Sequence, residues 1–274
     1  MESIYVVNLF PTLDSKLLEL LRSLTPEQWK LKATPRWTVH DVAAHLLDGS
    51  NLRRLSLGRD NYWGEPFHGS SYQDLVDFLN GLNADWVKAF RRISPRILIQ
   101  LLETSGKEVA EHFRSLDPHA PAPFPVSWAG ESESENWFDI ARDYTEKWHH
   151  QQQIREAVGQ DGIMSRELYF PVLDTFMRAL PHSYRDVLAS SGAGLAVHVT
   201  GEAGGSWFLT RRRENWELSR DCRGEVSAEI SMPQSIAWKL FTKGLSEEAA
   251  SQHLQLSGEK TLTDPILHVT AIMG

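Results

Sequence analysis

One segment of the chain combines a helical pattern with two side chains of metal-binding type, and it reads DIARDYTEKWHHQQQIR over residues 139–155. At about 100° per residue, Glu146 and His150 share one helix face, one turn apart. Three further residues extend this polar stripe: Asp143, Gln153 and Ala157. The large apolar side chains lie mostly on the opposite side: Trp137, Ile140, Tyr144 and Trp148.

This pattern allows two interpretations. In the first, which the spacing alone favours, Glu146 and His150 belong to a solvated helix face. In the second, the helix is buried on both sides and its polar stripe lines an internal site. A carboxylate and an imidazole one turn apart could then chelate one divalent ion, because both side chains lean towards the same point.

A third ligand would have to come from another helix, and residues 37–46 (WTVHDVAAHL) offer two histidines. His45 shares a face with apolar residues and is expected to point inwards, whereas His40 lies among polar neighbours near the helix start. His45 is therefore either a buried core histidine or a ligand. We find no zinc-protease, phosphate-loop, dinucleotide-binding or nucleophile-elbow motif in the sequence.

The first 185 or so residues have the periodicity of helices. Leucines predict a first helix that ends before Pro26, and Thr38 with Asp41 predicts the capped start of a second helix that ends about Gly58. Further helices are predicted over about 72–93, 95–116, 136–158 and 165–188, the last interrupted near Pro171 and Pro181. Four long helices indicate a bundle, and the proline-rich residues 117–135 indicate a long irregular connection.

After the glycine-containing residues 190–194 the pattern changes to short alternating segments, which predict strands. They lie near residues 195–200, 206–210, 215–219 and 226–230, and a helical pattern returns after Pro233. The prediction is an α plus α+β chain, with a helix bundle over residues 1–190 and a small α+β domain over residues 191–274.

Composition excludes several classes of protein. The 274 residues carry a net charge of −8 and are 41% hydrophobic, which is typical of a globular protein and argues against disorder and against a nucleic-acid partner. The single cysteine, Cys222, rules out a disulfide framework and is interpreted as a spare thiol; its flanking arginines leave a nucleophile as the alternative. With no signal-peptide pattern and no membrane-length apolar run, we expect a cytoplasmic protein.

Two segments resemble the DinB-like family, in particular the N-terminal domain of mycothiol-dependent maleylpyruvate isomerases. One is the tryptophan at 37 followed by the helix with Ala44-His45-Leu46, and the other is Glu146-x-x-x-His150. The resemblance implies a DinB-like four-helix bundle, a sterol-carrier-like C-terminal domain, and a divalent metal, usually zinc, held by His45, Glu146 and His150. In those isomerases an aspartate follows the second histidine by three residues, where this chain has Gln153.

The resemblance also implies a function. The expected enzyme uses a metal and a low-molecular-weight thiol of the mycothiol type to isomerise a small electrophilic substrate or to transfer sulfur to it. Arg211, Arg212 and Arg213 are candidates for the family's thiol-contacting arginine, although a basic run at a strand end is more often solvated. The alternatives are a non-enzymatic metal- or lipid-binding stress-response protein and, third, a metal-dependent hydrolase with Asp143 or a loop residue as base. A monomer or homodimer is expected.

Overall fold

The long helices precede the first strand, as the change of hydrophobic periodicity predicts, and short helices lie among and after the strands. The structure is a computed structural model that describes residues 1–64, 67–222 and 224–272. The α-helices are α1 (Phe10–Ser23), α2 (Val39–Leu47), α3 (Tyr72–Phe90), α4 (Pro95–Ser115), α5 (Asn136–Val158), α6 (Arg166–Met177), α7 (Leu180–Ser183), α8 (Gln234–Phe241), α9 (Glu247–Ser251) and α10 (Lys260–Thr263). The strands are β1 (Ala193–Thr200), β2 (Gly205–Arg212), β3 (Asn215–Ser219), β4 (Glu225–Pro233) and β5 (Gln255–Gly258).

The first five helices form the bundle. Helix α1 packs against α4 and α5, and α2 packs against α3, α4 and α5. Their apolar stripes meet in a core that includes Leu21, Val42, Leu46, Leu98 and Ile154. Burial of such aliphatic side chains, each contributing about 1.5–3 kcal/mol, is what holds α2 beside α5.

The second helix ends differently from the prediction. The α-helical part stops at Leu47, and the backbone continues as π-helix over Asp48–Leu52 and Arg54–Arg59. The helical backbone thus ends at Arg59, one residue after the predicted end at Gly58, but its second half is π-helical instead of α-helical. Periodicity does not distinguish these conformations, because a π-turn inserts only one extra residue into each turn.

Pro171 also departs from the prediction, because it lies inside α6 and does not interrupt it. A proline removes one helical hydrogen bond and costs about 3 kcal/mol. Several fully buried side chains on α6 outweigh this cost: Leu168, Tyr169, Val172, Leu173 and Phe176. Pro181, by contrast, lies in the first turn of α7, where its missing N–H costs no hydrogen bond.

The strands form one mixed sheet of five strands in the order β3-β2-β1-β4-β5. The pair β1–β4 is parallel, and the other neighbouring pairs are antiparallel. The alternation in β2 puts Trp207 and Leu209 on the buried face. The sequence did not predict β5, whose residues are all exposed and so show no apolar alternation.

Tertiary contacts divide the chain into two compact units. One contains Tyr5–Pro123 and Glu135–Ile163, and the other contains Met1–Ile4, Phe124–Ser134 and Met164–Ile272. Helices α6 and α7 thus group with the sheet, so the boundary near residue 190 marks where secondary structure changes type. None of the helices in the described residues combines the length and hydrophobicity that a membrane span requires.

Candidate metal centre

His45 is presented by a helix whose start is determined by its own sequence. The Thr38 side chain accepts a hydrogen bond from the Asp41 backbone N–H, and the Asp41 carboxylate accepts one from the Thr38 N–H. This predicted capping box sets where α2 begins. His45 therefore lies in the last turn of α2, just before the π-helical segment begins.

Glu146 and His150 lie on α5, which is buried on nearly all sides. The side chain of His150 is 10% exposed and that of Glu146 28%. Residues on the opposite side, such as Tyr144 and Trp148, are fully buried. The polar stripe is therefore largely buried, which agrees better with the second interpretation of the sequence than with a solvated helix face.

The structure brings all three predicted ligands together. One possible ligand atom from each of His45, Glu146 and His150 lies within 4.8 Å of the others. Glu146 Oε2 is 3.5 Å from His150 Nε2, and the rings of His45 and His150 meet edge to face with centroids 4.7 Å apart. In tetrahedral coordination at about 2.0–2.2 Å, the ligand atoms of one zinc ion lie roughly 3.3–3.6 Å apart. The Glu146–His150 distance already has this spacing, and the rest of the cluster would contract around an ion.

The residues present fit a divalent ion in chemistry as well as in spacing. Two imidazoles and a carboxylate are a donor set that zinc accepts, with a position left for a further ligand. Among the described residues, the buried Nδ1 atom of His45 has no hydrogen-bond partner. A buried nitrogen without a partner is costly, and a metal ion bound at that nitrogen would relieve the cost. Trp37 closes one side, with its ring centroid 4.8 Å from that of His45.

The protonation states also suit metal binding. Burial and then the nearby His150 ring lower the pKa of His45 well below its usual value. Burial alone would raise the pKa of Glu146, but the imidazoles of His149 and His150 outweigh it and lower that pKa to about 2. At neutral pH the site therefore has a charged carboxylate and a neutral His45, which are the forms that bind metal.

A buried ion network joins Arg54 of the π-helical segment to two carboxylates of α5, which lie one and two turns before Glu146. Arg54 donates to both carboxylate oxygens of Asp139, at 2.7 and 2.9 Å, and its Nε is 3.2 Å from Asp143 Oδ1. Burial raises the pKa of Asp143, and its Oδ2 atom is buried with no hydrogen-bond partner in the described part of the chain. Arg54 is not among the residues that the sequence indicated, because its partner Asp139 lies 85 positions further along the chain.

The other candidate residues belong to the compact unit that contains the sheet. Cys222 is exposed, and its thiol donates to the Gly224 carbonyl at 3.3 Å; its neighbour Arg223 lies outside the described residues. Arg211 is half-buried, with its guanidinium carbon 5.7 Å from the Trp216 ring centroid, whereas Arg212 pairs with Glu217. Arg213 is exposed at the turn between β2 and β3. Contact of any of them with a thiol stays a prediction.

Known proteins resemble the chain in sequence and in fold. The family described as mycothiol maleylpyruvate isomerase N-terminal domain matches residues 10–155. Crystal structures of the mycothiol-dependent maleylpyruvate isomerase and of a histidine-to-alanine mutant each match with a TM-score of 0.51 and 12% identity, covering 92% of this chain and 92% of theirs. A UbiJ-SCP2 ubiquinone synthesis protein matches with a TM-score of 0.25 and 21% identity, covering 35% of this chain and 84% of its own. No curated protein matches significantly. At 12% identity, the likeness to the isomerase shows a shared fold.

Proposed function

The chain belongs to the family of the mycothiol maleylpyruvate isomerase N-terminal domain, and we propose that it is a divalent-metal-dependent enzyme that uses a low-molecular-weight thiol. The reaction is isomerisation of a small electrophilic substrate or transfer of sulfur to it. The observation that carries the proposal is the convergence of His45, Glu146 and His150 inside the bundle. These are the three positions at which the family's metal ligands are expected.

Each ligand residue has a defined part in this function. His45 offers a neutral imidazole, Glu146 supplies the negative charge, and His150 contacts both Glu146 and the ring of His45. When bound, a divalent ion lowers the pKa of a thiol that reaches its open position and so supplies a nucleophile at neutral pH. Trp37 stands over His45 and limits access of water from that side.

The thiol brings its own sulfur, so the protein needs no catalytic cysteine. In isomerisation, the thiolate adds to an activated double bond, the resulting single bond rotates, and the thiolate leaves again, so no thiol is consumed. In S-transfer, the thiolate displaces a leaving group and stays in the product. Neither scheme therefore requires Cys222, which is an exposed free cysteine.

The first prediction concerns metal content. Purified protein is expected to contain a divalent ion, with zinc as the first candidate, and His45→Ala or His150→Ala should remove most of it. His40→Ala is the matched control, because His40 lies on the same helix but bonds to the Ile93 carbonyl at 2.9 Å. Elemental analysis of the four proteins, with circular dichroism to check folding, measures the effect.

Activity is then tested with mycothiol and other cellular thiols against a small electrophile such as maleylpyruvate. Chelated protein and the two ligand variants should lose at least about two orders of magnitude of activity. Full thiol-dependent activity without metal would overturn the proposal. A wild type without metal would favour a non-enzymatic protein, and hydrolysis that needs no thiol would favour the hydrolase. If metal removal unfolds the chain, the site is structural.

A further inference from the structure

Gln153 forms a hydrogen bond with His150, one of the three candidate metal ligands, but is not itself a candidate ligand. It lies one turn beyond His150 on α5, and its amide oxygen Oε1 is 2.8 Å from His150 Nδ1. An amide oxygen can only accept a hydrogen bond, so Nδ1 must be the ring nitrogen that carries the proton. In the neutral imidazole, which is the form that binds a metal, the lone pair is then on Nε2.

The nitrogen left with the lone pair is the one that faces the other ligands. His150 Nε2 is 3.5 Å from Glu146 Oε2, on the side where the three candidate ligand atoms converge. The adjacent His149 differs, because its Nδ1 bonds only to the backbone carbonyl of Thr145 in its own helix, at 3.1 Å. The contact from Gln153 is therefore specific to the candidate ligand.

Gln153 also leaves the charge of the site unchanged, because its amide is neutral. The charged groups acting on His45 include the negative Glu146 and the positive Arg53, besides the neighbouring histidines. With a divalent ion held by one carboxylate and two neutral imidazoles, the centre has a net positive charge. Such a centre favours an anionic ligand at its open position.

We propose that Gln153 is a positioning residue with two separable effects. Its hydrogen bond holds His150 with Nε2 free for the metal, and its neutrality keeps the metal-loaded site positive, so that the site takes a thiolate in preference to a neutral ligand. The preference for a thiolate rests on the proposed function, because that function supplies the thiol. The positioning of His150 by its hydrogen bond does not depend on the proposed function.

Two substitutions separate these effects. Gln153→Leu removes the acceptor, and Gln153→Glu keeps an acceptor oxygen at the same reach but adds a negative charge. Matched controls are Gln160→Leu and Gln160→Glu, since Gln160 is exposed just beyond the end of the same helix. Thermal unfolding of all metal-free proteins establishes that each variant folds.

The first measurement is the affinity for cobalt(II), with nitrogen NMR of His150 to report which ring nitrogen carries the proton. Gln153→Leu should weaken cobalt binding about 10- to 100-fold and lose the preference for a protonated Nδ1. Gln153→Glu should keep the tight cobalt binding and the protonated Nδ1 of His150, and the two Gln160 controls should match wild type. Unchanged affinity and an unchanged His150 spectrum in a folded Gln153→Leu protein would overturn the positioning effect.

The second measurement adds 2-mercaptoethanol to the cobalt-loaded proteins and follows the thiolate-to-cobalt charge-transfer band. Gln153→Glu should bind the thiol at least about tenfold more weakly than wild type, while Gln160→Glu should not. Equal thiol affinity in Gln153→Glu would overturn the charge effect. A wild type that binds cobalt but no thiol would overturn both the charge effect and the proposed function. The positioning effect would still be supported or overturned by the cobalt affinity and the His150 spectrum alone.

Discussion

His149 and His150 are adjacent in the chain and have different environments. His150 has a side-chain partner in Gln153 and faces Glu146, whereas His149 is 3% exposed and bonds to the backbone of its own helix. Burial and then the nearby His150 lower the pKa of His149 to about 4. A neutral buried imidazole of this kind makes stability depend on pH.

For the metal-free protein we predict a loss of stability as the pH falls from about 6.5 to 4. In this range a histidine in the unfolded chain takes up a proton, but the folded chain does not protonate His149 until about pH 4. The stability is therefore complete above pH 6.5, and His149 alone accounts for a loss of the order of 3 kcal/mol.

Urea unfolding at several pH values measures this loss, and His149→Gln should have a weaker pH dependence than wild type between pH 6.5 and 4. His253→Gln is the control, because His253 is exposed. Identical pH dependence in His149→Gln and wild type would contradict the prediction.

At the scale of elements, α2 and α5 reach the site by different means. Helix α5 is buried on nearly all sides, so its position follows from packing, and it ends at Gly159, whose φ of 68° is the left-handed conformation that glycine favours. Helix α2 has only the residues Val39–Leu47, and its capping box supports a helix too short to be stable alone.

We therefore predict that Thr38→Ala lowers the free energy of unfolding by about 1 kcal/mol, because the Asp41 N–H loses its side-chain acceptor. Thr38→Ser keeps the hydroxyl and should remain close to wild type. Chemical denaturation measures both variants. A loss as large in Thr38→Ser as in Thr38→Ala would show that the methyl group matters instead of the cap.

At the scale of the whole molecule, parts distant in sequence complete the unit that contains the sheet. The Tyr169 hydroxyl of α6 donates to the Gln234 carbonyl at 2.7 Å, and the Tyr184 hydroxyl donates to the Leu262 carbonyl at 2.9 Å. Both tyrosines are fully buried. Helix α6 therefore needs the later part of the chain to bury its tyrosine and to complete this compact unit.

A fragment of residues 1–190 is predicted to fold poorly. It retains α6 and α7 but lacks β1–β5 and α8, so the two tyrosines and their apolar neighbours would be exposed. Binding of a hydrophobic dye and size-exclusion chromatography, compared with the full chain, test this. A monomeric fragment that binds no dye and unfolds cooperatively would contradict the prediction.

Local sequence determined the features that depend on neighbouring residues. The box of Thr38 and Asp41, the end of α5 at Gly159 and the shared face of Glu146 and His150 all follow from short-range hydrogen bonds and helical spacing. The helix bundle and the change to strands follow from the period of apolar residues. Each of these features could be predicted because its cause lies within a few residues.

Only the tertiary structure decided how the polar stripe of α5 is placed and which side chains meet beside it. The burial of α5 on both sides, the meeting of His45 with residues about 100 positions later and the ion pairs of Arg54 depend on how separate helices pack. The π-helical turns and the uninterrupted α6 at Pro171 likewise depend on what surrounds each backbone. Packing energies between distant segments leave no trace in local periodicity, and for that reason the sequence could propose His45 as a ligand but could not place it.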